Sequence, residues 1–106
     1  MNQLLNQTSA AVLSTLGTPS QPTQTMSSRE IAELTGKEHR NVLRHIDKML
    51  TDLGFHSTPF RDEYQDSIGR TLPMYNLPQR ELLTLVSGYK TVPRLRVLER
   101  LAALTA

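Results

Sequence analysis

Cysteine is absent from these 106 residues, and tryptophan with it; only 5% of the chain is aromatic. Without cysteine there are no disulfides, no thiolate catalysis and no Cys-based zinc site. A domain of this size without covalent staples suits a reducing cytoplasm, here expected to be that of a bacterial host. The first residues lack a basic stretch followed by a continuous apolar run, so they do not read as a secretory signal. No apolar run approaches the roughly 20 residues needed to span a bilayer, and no membrane association is expected. The core has to be mostly aliphatic.

What is present is ordinary for one globular domain: 38% hydrophobic and 21% charged residues, with a formal net charge of +2. That balance is only weakly basic, so the placement of charge matters more than its total. Residues 1–25 carry no charged side chain and are rich in Asn, Gln, Ser and Thr. They read as a polar leader. It is either an unfolded tail or a short helix lined by Leu4, Leu5, Val12, Leu13 and Leu16 that docks on the domain or on a partner. Gly17 to Pro22 reads as the linker.

Residues 26–106 read as a single winged-helix-like regulatory domain, with order starting at Ser27. Ser27 and Glu30 have the spacing of a capping box, in which hydroxyl and carboxylate satisfy each other's backbone N–H. A short helix with Ile31 and Leu34 inward ends at Thr35-Gly36. Thr35 and Glu38 form a second candidate box, opening a longer helix from about Lys37 to Leu53 that Gly54 stops. At about 100° per residue, Val42, Leu43, Ile46, Met49, Leu50 and Leu53 share one arc. Lys37, Arg40, Asn41, Arg44 and Lys48 fall opposite. Two helices joined by a tight glycine turn make a helix-turn-helix-like unit.

From Phe60 to Leu77 the pattern changes to alternation, predicting strands over 60–66 and 71–77 joined by an Asp66–Arg70 turn. Pro73 cannot donate to a ladder, so its strand should be an edge or have that position facing outward. Pro78 opens a helix carrying Leu82, Leu83, Leu85 and Val86, ended by Ser87-Gly88. Thr91 caps a final helix towards Leu104. The expected fold class is therefore α+β, mainly helical: a helix-turn-helix-like unit, a β-hairpin wing and two C-terminal helices. On the final helix Leu95, Val97, Leu98, Leu101 and Leu104 cover about half the circumference. Either the helix is wedged inside its own domain, or Leu95, Leu98, Leu101 and Leu104 include an oligomer interface.

Catalysis is not expected. His39, His45 and His56 show no metal-ligand spacing, no serine sits in a nucleophile elbow, and no glycine-rich loop follows a strand. No cofactor, metal or small-molecule substrate is implied. His39 falls within the apolar arc and reads as a hydrogen-bonded, half-buried histidine; His45 and Asp47 are too close in sequence to face each other. The cationic side of the second helix is the candidate site. Lys37, Lys48, Arg40, Asn41 and Arg44 could reach phosphates or base edges, with Arg70 at the hairpin tip as an added contact. The alternative is a merely solvated face.

The run from Ser28 to Ile46, SREIAELTGKEHRNVLRHI, resembles the opening of the phage regulatory proteins of the Rha family. The resemblance continues through Asp66-Ser67-Ile68-Gly69-Arg70, Met74-Tyr75-Asn76-Leu77-Pro78 and Leu85-Val86-Ser87-Gly88-Tyr89, covering about residues 26–100. The segment from Lys90 to Ala106 lacks the longer extension of many members, and with it any second activity that extension carries. The resemblance implies a temperate-phage or prophage protein acting on the lysis–lysogeny decision. Of the two mechanisms such proteins suggest, an antirepressor, which binds a phage repressor and releases it from its operator, is favoured by the modest net charge, the wide apolar arc of the final helix and the uncharged leader. The free energy needed to displace a repressor calls for a homo-oligomer. The alternative is a regulator that binds duplex DNA directly, with the helix from Lys37 in the major groove and the hairpin on the backbone.

Overall fold

The computed structural model describes residues 24–105. The leader and linker expectations for residues 1–23 therefore lie outside the described residues. Strand β1 (Thr25–Ser27) leads directly into α1 (Ser28–Thr35) and α2 (His39–Leu53). A 3-10 turn (Thr58–Phe60) then delivers the chain to β2 (Arg61–Gln65) and β3 (Thr71–Pro78), followed by α3 (Gln79–Val86) and α4 (Thr91–Thr105). The three strands are antiparallel in the order β1-β3-β2. Among the described residues no helix is long and apolar enough to cross a membrane.

The expected α+β layout is the observed one, with local corrections. Regular structure begins at Thr25, two residues ahead of the expected Ser27, because Met26 is drawn into the sheet opposite Leu77. Both side chains are buried at that pairing. Ser27 caps α1 by accepting the Glu30 N–H at 3.1 Å. The reciprocal half of that box is replaced: the Glu30 carboxylate turns to Arg100 of α4, 2.7 Å away. The second expected box does not form. Thr35 Oγ1 donates to the Ile31 carbonyl at 2.7 Å, and α2 begins at His39 with Glu38 as a cap whose side chain makes no capping bond.

Gly36 ends α1 at φ 72°, the left-handed region that costs a β-carbon-bearing residue most, and so sets the turn between the two helices. Gly69 at φ 85° does the same in the hairpin, where Asp66 Oδ1 accepts from the backbone N–H of Ile68 and Arg70. β3 is the central strand, which corrects the edge assignment. The proline is tolerated because β1 pairs only with Asn76–Pro78, so Pro73, opposite Glu63, has a neighbouring strand on one side alone. Pro78 precedes α3 as its cap, not within its first turn, and α4 begins at Thr91 itself.

One core joins all these elements. Met26 of β1, Ile31 of α1 and Val42, Ile46 and Leu50 of α2 meet Tyr75 and Leu77 of β3. Leu82, Leu85 and Val86 of α3 and Val97 and Leu101 of α4 close the other side. Leu53, expected on the buried arc of α2, is 43% exposed, because the last turn of the helix runs past the core. Leu83 also faces outward at 36%. α4 lies across α1, not across α2. The candidate helix therefore keeps its outer side uncovered by the C-terminal helices.

Ser28 is fully buried and couples three elements. Its Oγ accepts the backbone N–H of Tyr75 at 3.0 Å and shares a hydrogen bond with Nε2 of His39, 2.7 Å away. β1 has ended at Ser27, so the serine hydroxyl continues its ladder onto β3 with a side chain. Replacing Ser28 with alanine leaves a buried N–H without its partner, a loss of about 1–3 kcal/mol. Ser27→Ala, losing only a half-buried cap, should cost about 1 kcal/mol. Urea unfolding of the two variants should rank them in that order.

Candidate macromolecule-binding face

The stability of α2 comes from its inner stripe. Val42, Ile46 and Leu50 are at most 2% exposed, and truncating such residues costs about 2–5 kcal/mol each. The ion pairs on its outer side are solvent-exposed and contribute at most about 1 kcal/mol each. The outer residues therefore carry little structural duty and are free to meet a partner.

The cations that sequence spacing groups together are divided by the fold. Arg40 leans towards the hairpin, pairs with Glu38 at 3.0 Å, and borders a shallow depression with His39, Leu43, Tyr64 and Leu72. Arg44 projects from the middle of the helix with no carboxylate partner among the described residues, and half-buried Asn41 lies one turn before His45. Lys48 pairs with Asp52 at 3.1 Å. Lys37 and Lys48 border a different groove, shared with His45 and with Tyr89 and Lys90 from the α3–α4 turn. Lys37 Nζ sits 4.8 Å above the Tyr89 ring.

Arg70 is held within the hairpin tip. Its Nε donates to Asp66 Oδ2 at 2.6 Å, and bonds from Arg70, its backbone N–H foremost, hold the Asp66 carboxyl below the usual carboxylate range. Between α2 and the hairpin a cleft is lined by Asp47, Asp62 and Glu63 with only Arg61 opposing them. Tyr75 donates to Asp47 at 2.5 Å across the base of that cleft. The hairpin side of the candidate face is thus acidic, whereas the α3–α4 side is basic.

Of the expected oligomer residues, Leu101 belongs to the monomer core and Leu104 packs against it, a correction to their assignment to an outer interface. Leu95 and Leu98 are 52% and 36% exposed, and Val92 beside them is 57% exposed. The wide apolar arc therefore serves both readings: one side is wedged inside the domain and the other is uncovered.

Several neighbours of the face carry no periodic signal in the sequence. The Arg29 guanidinium lies 4.0 Å over the Tyr64 ring, which in turn meets His39 edge-on. Tyr89 meets His45 in the same manner, with Nδ1 3.4 Å from the phenol oxygen. Burial pushes the Tyr89 phenol up to about 12. Among the described residues no group of three or more His, Asp and Glu is placed to hold a metal ion.

This geometry defines a helix-turn-helix-like regulatory module with its second helix exposed and a hairpin beside it. The sequence model of the phage regulatory protein Rha matches residues 26–102, and the chain belongs to that family. Its relatives include an uncharacterized protein of Haemophilus influenzae (strain ATCC 51907 / DSM 11121 / KW20 / Rd), 36% identical over 73 residues. That match takes in 61% of this chain and 40% of the relative, so the chain spans about two fifths of the relative's length. No solved structure matches it.

Both histidines of α2 are held below the ordinary imidazole value. For His39 burial dominates, with Arg29 adding repulsion; for His45 burial dominates, followed by Lys37 and Arg44. The unfolded chain therefore takes up protons at a higher pH than the native one. Their contribution is intact above the unfolded value of 6.5 and is lost as pH falls from there through the lowered native values. Melting temperature should decline across that window, and His39→Gln should flatten the decline.

Proposed function

We propose that this chain acts in the bacterial cytoplasm as an antirepressor in phage lysis–lysogeny control, engaging a phage repressor and drawing it from its operator. The supporting observation is the mixed charge of the exposed face. Arg40, Lys48 and Arg70 each face a carboxylate of this chain, and Asp47, Asp62 and Glu63 line the cleft beside the hairpin. Duplex DNA presents one negative charge per roughly 1.7 Å and rewards a face of one sign. A face with both signs side by side suits the patterned surface of another protein.

A repressor held at its operator by roughly 11–15 kcal/mol is not displaced by one small patch. Self-association answers that requirement, because several copies engaging one repressor oligomer gain through effective concentration. Val92, Leu95 and Leu98 offer an uncovered apolar surface on α4 where copies would join. Direct DNA recognition is the second reading, favoured by the exposed helix of the helix-turn-helix-like unit and by Arg44 with no carboxylate partner among the described residues.

Pull-down from the host lysogen, with and without nuclease, tests the choice. The expected result is repressor retained after nuclease and lost in Arg40→Glu/Arg44→Glu, with an unchanged circular dichroism spectrum. Loss on nuclease treatment, with duplex binding that falls steeply with salt, would overturn it in favour of DNA. Sedimentation at micromolar concentration should give an oligomer that Leu95→Glu/Leu98→Glu reduces to monomer. A wild-type monomer would remove the oligomeric mechanism.

A further inference from the structure

The groove between α2 and the α3–α4 turn has a composition unlike the rest of the exposed face. It encloses about 750 Å³, within the range of binding sites for organic ligands and peptide anchors. Met49 and Leu53 of α2, Leu85 of α3 and Pro93 of α4 form an apolar floor. Lys37, Lys48 and Lys90 stand around it, and Asp52 is the single carboxylate in its lining, already engaged by Lys48. Tyr89 makes one wall, its ring held between Lys37 and His45. From His45 to Leu53 the floor runs about 12 Å, two turns of helix at ~1.5 Å per residue.

We propose that this groove takes an acidic, apolar-anchored helical segment of a protein partner. The apolar floor accepts side chains one turn apart, and the lysines meet carboxylates flanking them. Charge complementarity selects this occupant over others. A second copy joined through its own α4 would bring an apolar side flanked by Arg94 and Arg96 against a single Glu99, with Arg100 already engaged by Glu30, so cation would face cation. Residues 1–25 of this chain carry no charge with which to answer the lysines. The inference deepens the antirepressor reading and rests on it: the segment would belong to the repressor.

Fluorescence anisotropy with the full-length chain tests it. The probe is a fluorescein-labelled peptide with leucines four residues apart flanked by glutamates; its counterpart has lysines in place of the glutamates. The glutamate peptide should bind at low salt and the lysine peptide should not. Lys37→Glu/Lys90→Glu, with its fold checked by circular dichroism, should weaken the glutamate peptide about tenfold and admit the lysine peptide. Equal binding of both peptides, indifference to the charge reversal, or no binding of the glutamate peptide would each overturn the proposal. So would a loss confined to binding of a duplex oligonucleotide. Repressor capture that survives Lys37→Glu/Lys90→Glu removes the groove and leaves the antirepressor reading. Glutamate-peptide binding without repressor capture does the reverse.

Discussion

A single buried hydroxyl holds the candidate helix in its attitude. Ser28 sits where β1 turns into α1, accepts the Tyr75 N–H of the central strand and reaches Nε2 of His39 at the start of α2. Strand, first helix and second helix are thereby fixed at one point by a fully buried side chain. In a low-dielectric interior such a satisfied polar junction specifies geometry more sharply than apolar packing, which tolerates sliding. Orientation of the outer side of α2 follows from it. Burial at this junction, with Arg29 beside it, also holds the His39 imidazole below its ordinary value.

With α2 so held, its two flanks acquire different electrostatic characters from different neighbours. The hairpin brings Asp62 and Glu63 to one flank, and the α3–α4 turn brings Tyr89 and Lys90 to the other. A face that looks uniformly cationic along the helix is, in three dimensions, a boundary between an acidic cleft and a basic groove. The exposed Leu95 and Leu98 of α4 line neither.

Much of the fold could be read from spacing because the deciding forces are local. The 3.6-residue period of Val42, Ile46 and Leu50, the alternation on β3, and the glycines at 36 and 69 act over one turn or one hairpin, and each produced the expected element. Misreadings fell where a distant group outcompeted a local one. Glu30 left its capping box for Arg100, seventy positions away. Strand β1, three residues long, carries no pattern of its own and exists because β3 has an open edge for Met26 to fill. The apolar arc of α4 was visible, but nothing along the chain shows that α1 covers Val97 and Leu101 and leaves Leu95 and Leu98 bare.

By itself the order of residues determined the four helices, the hairpin, the glycine turns and the cation-bearing side of α2, which depend on neighbours within a few positions. It also determined the family resemblance, which depends on motifs and their order alone. Only the tertiary structure decided which cations share a groove, which are answered by carboxylates, and which leucines are spent on the core. The physical reason is distance: electrostatic and apolar partners act over a few ångströms in space. The partners of α2 lie on both sides of it in the chain, from Ser28 eleven positions before His39 to Tyr89 forty-four positions after His45.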